Sequence, residues 1–285
     1  MKKVLVLGAT GMLGHACSNV LRQNETLDVV NTSRNTTAGY LKFDASKDSI
    51  SDLISAVNPD WIINCIGIIK PHIDEKNIAS INQAIRINSL FPQEIALASK
   101  KPVIQIATDC VYSGNIGAYP ESALHDATDV YGKTKSLGEI PADNLKHIRA
   151  SIIGPEQGRS TSLLEWFRNQ PKDAKLNGFT DHLWNGVTTH HFGFLAKGMI
   201  ENDYLEFNKI HIVPEDIVTK AELLRIFASS YDRSDININD VESAKTIDRT
   251  LTTENPETNS TLWKLAGYET PPTIKQMVEE QSKFD

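Results

Sequence analysis

Tyr131 and Lys135 in "YGKTK" stand four residues apart, so on a helix both side chains rise from one face. A phenol, with a pKa near 10, is a poor acid–base group at neutral pH. A neighbouring ammonium favours the phenolate and draws that pKa down, which suits the pair to moving a proton. Taken alone, the pair fits an aromatic and an amine on a solvated helix as well. A third group comes from "ATDCVYSG", where Thr108 and Asp109 follow the apolar run "PVIQIAT". If that run is a strand, both residues emerge at its carboxyl end, where open α/β sheets bind ligands. Tyr131 would then protonate a carbonyl oxygen, Thr108 would hydrogen-bond the same oxygen, and Lys135 would tune the phenol.

Such a trio needs a sheet to hold it. Short β-branched runs at 3–8, 27–32, 61–67, 102–108 and 147–153 alternate with helical patterns at 12–23, 47–57, 77–99 and 130–139. The runs are nearly all apolar, as in strands covered on both faces. The expected fold class is therefore α/β, a Rossmann-type doubly wound and mostly parallel sheet, over residues 1–155. After Pro155 the rhythm changes to helical stretches at 161–170, 190–201, 220–229 and 273–284, with a Gly-rich aromatic segment at 176–189 and "IHIV" at 210–213. Residues 156–285 are expected to form mainly a substrate-binding lobe, with segments returning to the core.

"GATGMLG" places Gly8, Gly11 and Gly14 between the first strand and the first helix, the context a dinucleotide phosphate turn requires. Gly8 permits the turn, Gly11 clears the pyrophosphate path, and Gly14 lets helix pack on sheet. Thr10, Met12 and Leu13 then offer backbone at the helix N-terminus. No acid ends the second strand, "VVNTSR", to take a ribose hydroxyl. Thr32, Ser33 and Arg34 favour NADPH, with NADH as the alternative. Asp44 is a candidate for the adenine amino group, or a cap for the next helix. In "NCIGIIK", Cys65, Ile66 and Gly67 would border the nicotinamide, and Lys70 and His72 would face an anionic substrate or lie in an exposed loop.

The composition narrows the partners. Among 285 residues, 29 Lys and Arg face 36 Asp and Glu, a net charge of -7 that disfavours nucleic acid and anionic membranes. The apolar start is cut by glycines at once, so neither a cleavable leader nor a membrane span is expected. Cys17, Cys65 and Cys110 show no metal or disulfide pattern and read as reduced thiols in the cytoplasm. His182, His190, His191 and His211 lack a metal spacing, and no metal is assigned. Arg149, Arg159 and Lys175 are weaker candidates for a substrate phosphate, each also readable as a salt-bridged or solvated side chain.

With "GATGMLG", "NCIG", "RINSLFPQEIA", "ATDCVYSG", "VYGKTKSLGE", "IRASIIG" and "GVTT" in view, the chain resembles the extended short-chain dehydrogenase/reductases, in particular the dTDP-4-dehydrorhamnose reductase branch. The resemblance spans about residues 4–189, with a weaker match at 262–278. It implies acid–base roles for Thr108, Tyr131 and Lys135, a supporting asparagine at Asn88 beside the cofactor, and a C-terminal lobe for a nucleotide-sugar. Two departures stand out: Cys110 replaces a usual tyrosine, and "LWNGVTTHH" replaces a "QxGxPT" loop. Trp184 and Asn185 then fall in the substrate region with Asp109, one to stack and one to bond a hydroxyl. The departures widen the expectation from dTDP-4-keto-rhamnose to a related 4-keto nucleotide-sugar, such as a uridine-linked one, for surface polysaccharide synthesis. The competing readings are a nucleotide-sugar epimerase or dehydratase, and a non-catalytic subunit like the methionine adenosyltransferase regulatory subunits. Dimers are common in this architecture, and a homodimer is left open.

Overall fold

Side chains on β1 (Lys2–Leu7) alternate between two apolar layers, Val4 and Val6 on one face and Leu5 and Leu7 on the other, so both faces must be covered. The structure is a computed structural model describing residues 1–158 and 161–284. The first half continues with α1 (Met12–Arg22), β2 (Leu27–Ser33), β3 (Leu41–Lys42), α2 (Ile50–Val57), β4 (Trp61–Asn64), α3 (Ile78–Ala84), α4 (Phe91–Ala98), β5 (Val103–Ala107), α5 (Val130–Leu137) and β6 (Leu145–Arg149). The second half adds β7 (Ile152–Ile153), α6 (Leu163–Arg168), β8 (Lys175–Phe179), β9 (His182–Trp184), β10 (Val187–Thr188), α7 (Thr189–Asn202), β11 (Lys209–His211), β12 (Val218–Thr219), α8 (Lys220–Ser230), β13 (Asn237–Val241), β14 (Ile247–Asp248), α9 (Pro256–Leu265) and α10 (Ile274–Gln281).

The main sheet has seven strands in the order β11-β6-β5-β4-β1-β2-β3, and every pair in it is parallel. Chain order reverses between β1 and β4, which opens a ligand crevice beyond their carboxyl ends. One apolar layer joins Val4, Val6 and Trp61 to Phe192, Met199 and Trp263, so helices of the second half cover that face. The other joins Leu5, Leu7 and Ile62 to Phe91 and Ile95. β11 brings part of the second half into the main sheet, while β12-β9-β14 and β8-β13 form small separate sheets.

Three departures from the expected elements have local causes. The third strand stops at Asn64, three residues early, because the Asn64 side-chain oxygen accepts from Ile66 N at 3.1 Å and turns the chain. The helix expected over 77–99 passes through a π-helical turn, Ile85–Leu90, just before Pro92, a residue with no amide hydrogen to donate. The run expected over 147–153 divides at Arg149, and Ile152 and Ile153 pair with β10 instead. Among the described residues no helix is long and apolar enough to cross a membrane.

Candidate active site

The phosphate turn is built by backbone contact. Gly8 has φ +78°, and a Cβ there would meet Ile66 at 2.8 Å. A Cβ on Gly14 would lie 2.2 Å from the Gly8 carbonyl oxygen, so the first turn of α1 rests on the loop before it. Gly11 is the N-cap of α1 with no side-chain cap, which leaves the amides of Met12 and Leu13 open to an anion. Thr32 braces the turn: its Oγ1 accepts from Gly8 N at 3.1 Å, and its carbonyl accepts from Ala9 N at 3.0 Å. Gly14→Ala forces α1 away from the turn; we expect weaker dinucleotide binding and a destabilisation of about 1–3 kcal/mol, read by cofactor titration and thermal melting.

At the adenosine end, Arg34 is exposed and within electrostatic reach of Asp44. Ser33 spends its hydroxyl on the Asn35 carbonyl at 2.8 Å. Asp44 does not cap α2, since Ser49 does. Its carboxylate instead accepts from the Ser46 hydroxyl at 2.6 Å and amide at 3.0 Å, which hold it below the usual carboxylate range. Cys65, Ile66 and Gly67 follow β4 along the crevice. Asn88, from the π-helical turn, clasps this loop by accepting from Ile68 N and donating to Ile68 O, each at 2.9 Å. It also donates to Thr134 Oγ1 at 3.2 Å. Asn88 thus ties the cofactor loop to α5 and has no open polar edge for the cofactor itself.

α5 starts at Asp129, whose carboxylate accepts from Gly132 N at 2.9 Å. A Cβ on Gly132 would meet Cys110 O at 2.4 Å, so α5 lies directly against the turn after β5. That approach puts Tyr131 beside Thr108, close enough for the hydroxyl to act on the phenol. Thr108 also donates to Asp109 Oδ1 at 3.2 Å. Lys135 is buried, donates to Ile106 O at 2.9 Å, and has its pKa drawn down to about 8 by burial, against the pull of Glu139.

One expectation reverses. The phenol is not lowered; burial, with negative charge potential at Cys110, Asp109 and Asp129, pushes it well above its ordinary value despite Thr108. The chain by itself therefore keeps Tyr131 neutral, as a proton donor must be. Cys110 is pushed up to about 12, chiefly by burial, and is not a nucleophile.

Several other residues are placed differently from expectation. Lys70 pairs with Asp129 at 3.0 Å and so steadies the start of α5. Trp184 is buried, its Nε1 donating to Ser151 Oγ at 2.8 Å, which leaves no free face for stacking. The Asn185 amide is saturated by Leu251, donating to its carbonyl at 2.7 Å and accepting from its amide at 2.9 Å. Arg149 is fully buried, bonded to Glu139, to Tyr112 at 2.9 Å, to His211 at 2.6 Å and to His125 at 2.9 Å, and cannot meet a substrate phosphate. Lys175 is exposed on β8, and Arg159 lies outside the described residues. A cavity of about 530 Å³ is lined by Gly132, Lys133, Ser136 and Leu137, a different face of α5 from that of Tyr131 and Lys135. It is not the reacting cleft.

Residues 1–153, more than half of the chain, match the family described as RmlD substrate binding domain. The chain belongs to that family. Within it, the phosphate turn, Thr108, Tyr131 and Lys135 all fall in the matched region. The chain is also similar in structure to dTDP-4-dehydrorhamnose reductase from Bacillus anthracis str. Ames, solved in complex with NADP: TM-score 0.78 at 16% identity, covering 100% of this chain and 99% of that one. UDP-glucuronic acid 4-epimerase from Bacillus cereus, solved with UDP-glucuronic acid and NAD, gives a TM-score of 0.73 at 17% identity over 99% of this chain and 98% of that one. At these identities the likeness carries the fold alone. Among curated proteins, methionine adenosyltransferase 2 subunit beta of Danio rerio is 28% identical over 155 residues, 53% of this chain and 46% of that protein. The match spans a little under half of that relative's length.

Proposed function

We propose that this chain is an NADPH-dependent reductase of a 4-keto nucleotide-sugar, acting in the supply of precursors for surface polysaccharide. The observation that carries the reading is a neutral Tyr131 beside Thr108 at the carboxyl edge of β5, with buried Lys135 one turn along the same helix. The open amides at Met12 and Leu13 fit a dinucleotide diphosphate, and exposed Arg34 beside the loop after β2 fits a 2′-phosphate. Bound NADPH would supply the hydride. The protein's part is to donate the Tyr131 proton to the carbonyl oxygen as negative charge develops there, while Thr108 holds that oxygen by a hydrogen bond. Lys135 would hold the nicotinamide ribose and, as a cation, ease proton loss from the phenol.

The test is turnover of 4-keto nucleotide-sugars, uridine- and thymidine-linked, with NADPH and with NADH. NADPH should be preferred by roughly tenfold or more in kcat/KM, and Arg34→Ala should erase that preference, a loss on the scale of one charge-assisted contact. Activity with NADH alone would overturn the assignment of Arg34. Sugar conversion without net oxidation of NADPH would favour an epimerase instead. Since Lys135 in the free protein loses its proton near pH 8, kcat/KM should fall as pH rises through about 8.

The likeness to methionine adenosyltransferase 2 subunit beta favours a second reading, a nucleotide-binding subunit of a larger enzyme. That role has no use for a neutral phenol beside a strand-end threonine. It would leave the protein without turnover and Tyr131→Phe without effect.

A further inference from the structure

The first three amides of α5, those of Val130, Tyr131 and Gly132, have no partner within the helix. Two of them are taken by carboxylates. Asp129 Oδ1 accepts from Gly132 N at 2.9 Å, and Glu75 Oε1, from 55 residues earlier, accepts from Val130 N at 2.9 Å. Tyr131 stands between the two held positions. The other oxygen of Asp129, Oδ2, accepts from Lys70 Nζ at 3.0 Å, so that carboxylate is fixed at both ends. Two carboxylates suit the positive end of the helix dipole, and Lys70 offsets part of the repulsion between them.

Lys70 and Glu75 belong to one segment. It leaves the crevice at Ile68, whose amide and carbonyl are both held by Asn88. It passes through a 3₁₀ turn, Lys70–His72, and ends at Asn77, which caps α3 by accepting from Ala79 N at 2.9 Å. Pro71, His72, Asp74, Glu75 and Lys76 are exposed and Ile73 is half-buried, so apolar burial does little to seat the segment. Among the described residues, its side-chain bonds to α5 come from Lys70 and Glu75. We propose that Glu75 and Lys70 are positioning residues for Tyr131, holding the first turn of α5 so that the phenol meets the carbonyl oxygen beside Thr108. This deepens the reductase reading and rests on it. A first turn released from Glu75 frays at Val130, and the ring one residue on shifts with it. Displacing a reacting group by about 1 Å can cost on the order of 100-fold in rate. With the Asp129 cap kept, the release is partial and the cost smaller.

The experiment compares the native protein with Glu75→Ala, Glu75→Gln, Lys70→Met and, as an exposed neighbour, Lys76→Ala. Each is measured by steady-state kinetics on a panel of 4-keto nucleotide-sugars, by NADP⁺ titration, and by hydrogen exchange of the α5 amides. Glu75→Ala should lower kcat roughly tenfold, leave KM and NADP⁺ affinity unchanged, and speed exchange in the first turn of α5. Glu75→Gln, whose side-chain oxygen still accepts from Val130 N, should retain most of the turnover. Lys70→Met should lose less than Glu75→Ala, because its ion pair is exposed and screened. Lys76→Ala should match the native protein. Native kcat or native exchange in Glu75→Ala overturns this inference and leaves the reductase reading standing. A loss that Glu75→Gln does not restore, or one that falls on NADP⁺ affinity in place of kcat, also overturns it. A native protein that turns over none of the panel removes both.

Discussion

Tyr131→Phe is expected to lower turnover by about 10²–10⁴-fold, the usual contribution of a positioned general acid, with dinucleotide affinity unchanged. The substitution removes one oxygen from a half-buried ring and leaves the α5 backbone, the Asp129 cap and the close approach of Gly132 to Cys110 in place. It takes away only the proton that the carbonyl oxygen needs and the hydroxyl that Thr108 orients. The loss should therefore sit in kcat, since the interaction matters most as charge develops on the oxygen. Thr108→Val should cost less, because the phenol would remain. Steady-state kinetics with a cofactor titration on each variant check this. Full turnover in Tyr131→Phe would mean that the proton comes from elsewhere.

The second large effect concerns stability. Arg149→Met leaves the Glu139 carboxylate buried without its guanidinium, a loss on the order of 3–5 kcal/mol. Glu139 Oε1 is already without a partner, and its Oε2 would keep only the His125 ring at 3.8 Å. Tyr112 and the His211 and His125 rings lose the same donor. Chemical denaturation of the single variant and of Arg149→Met with Glu139→Gln separates the costs. The double variant should recover part of the loss by removing the stranded charge. The two rings of this cluster, together with His191 beside Glu280, make the fold acid-sensitive. Burial, then Arg149, lowers His211 to about 4, and burial lowers His191 to about 4 and His125 in the same direction. These rings stay neutral when folded and take protons more readily when unfolded. The stability present above their unfolded pKa of about 6.5 is lost as pH falls toward 4. Melting temperature should accordingly drop between pH 7 and pH 5.

The parallel sheet was legible because its strands are apolar on both faces and separated by helical patterns, signals carried by near neighbours in sequence. The glycine turn and the Thr108, Tyr131 and Lys135 trio were legible for a related reason, since each lies at a strand end or on one helix face. What escaped depended on partners far along the chain. Nothing local to "LWNGV" shows that Trp184 will be sealed by Ser151 or that Asn185 will be saturated by Leu251. For Arg149 the salt-bridged reading holds, but nothing near it in sequence names Glu139, Tyr112 and the two histidines that close around it. α9 was missed because polar residues in "PETNSTLWKL" dilute its apolar face, although Pro256 in its first turn is a helix-start signal. The direction of the Tyr131 shift was beyond reach, because burial of the phenol outweighs any neighbour that spacing can reveal.

The most direct test of the central claim follows the hydride itself. The protein is given NADPH carrying deuterium at the transferable position of the nicotinamide, together with a 4-keto nucleotide-sugar it binds, and the sugar is analysed by mass spectrometry. One deuterium in the reduced sugar for each NADP⁺ formed is the expected result. Sugar converted without label, or NADPH left untouched across the whole substrate panel, would contradict it.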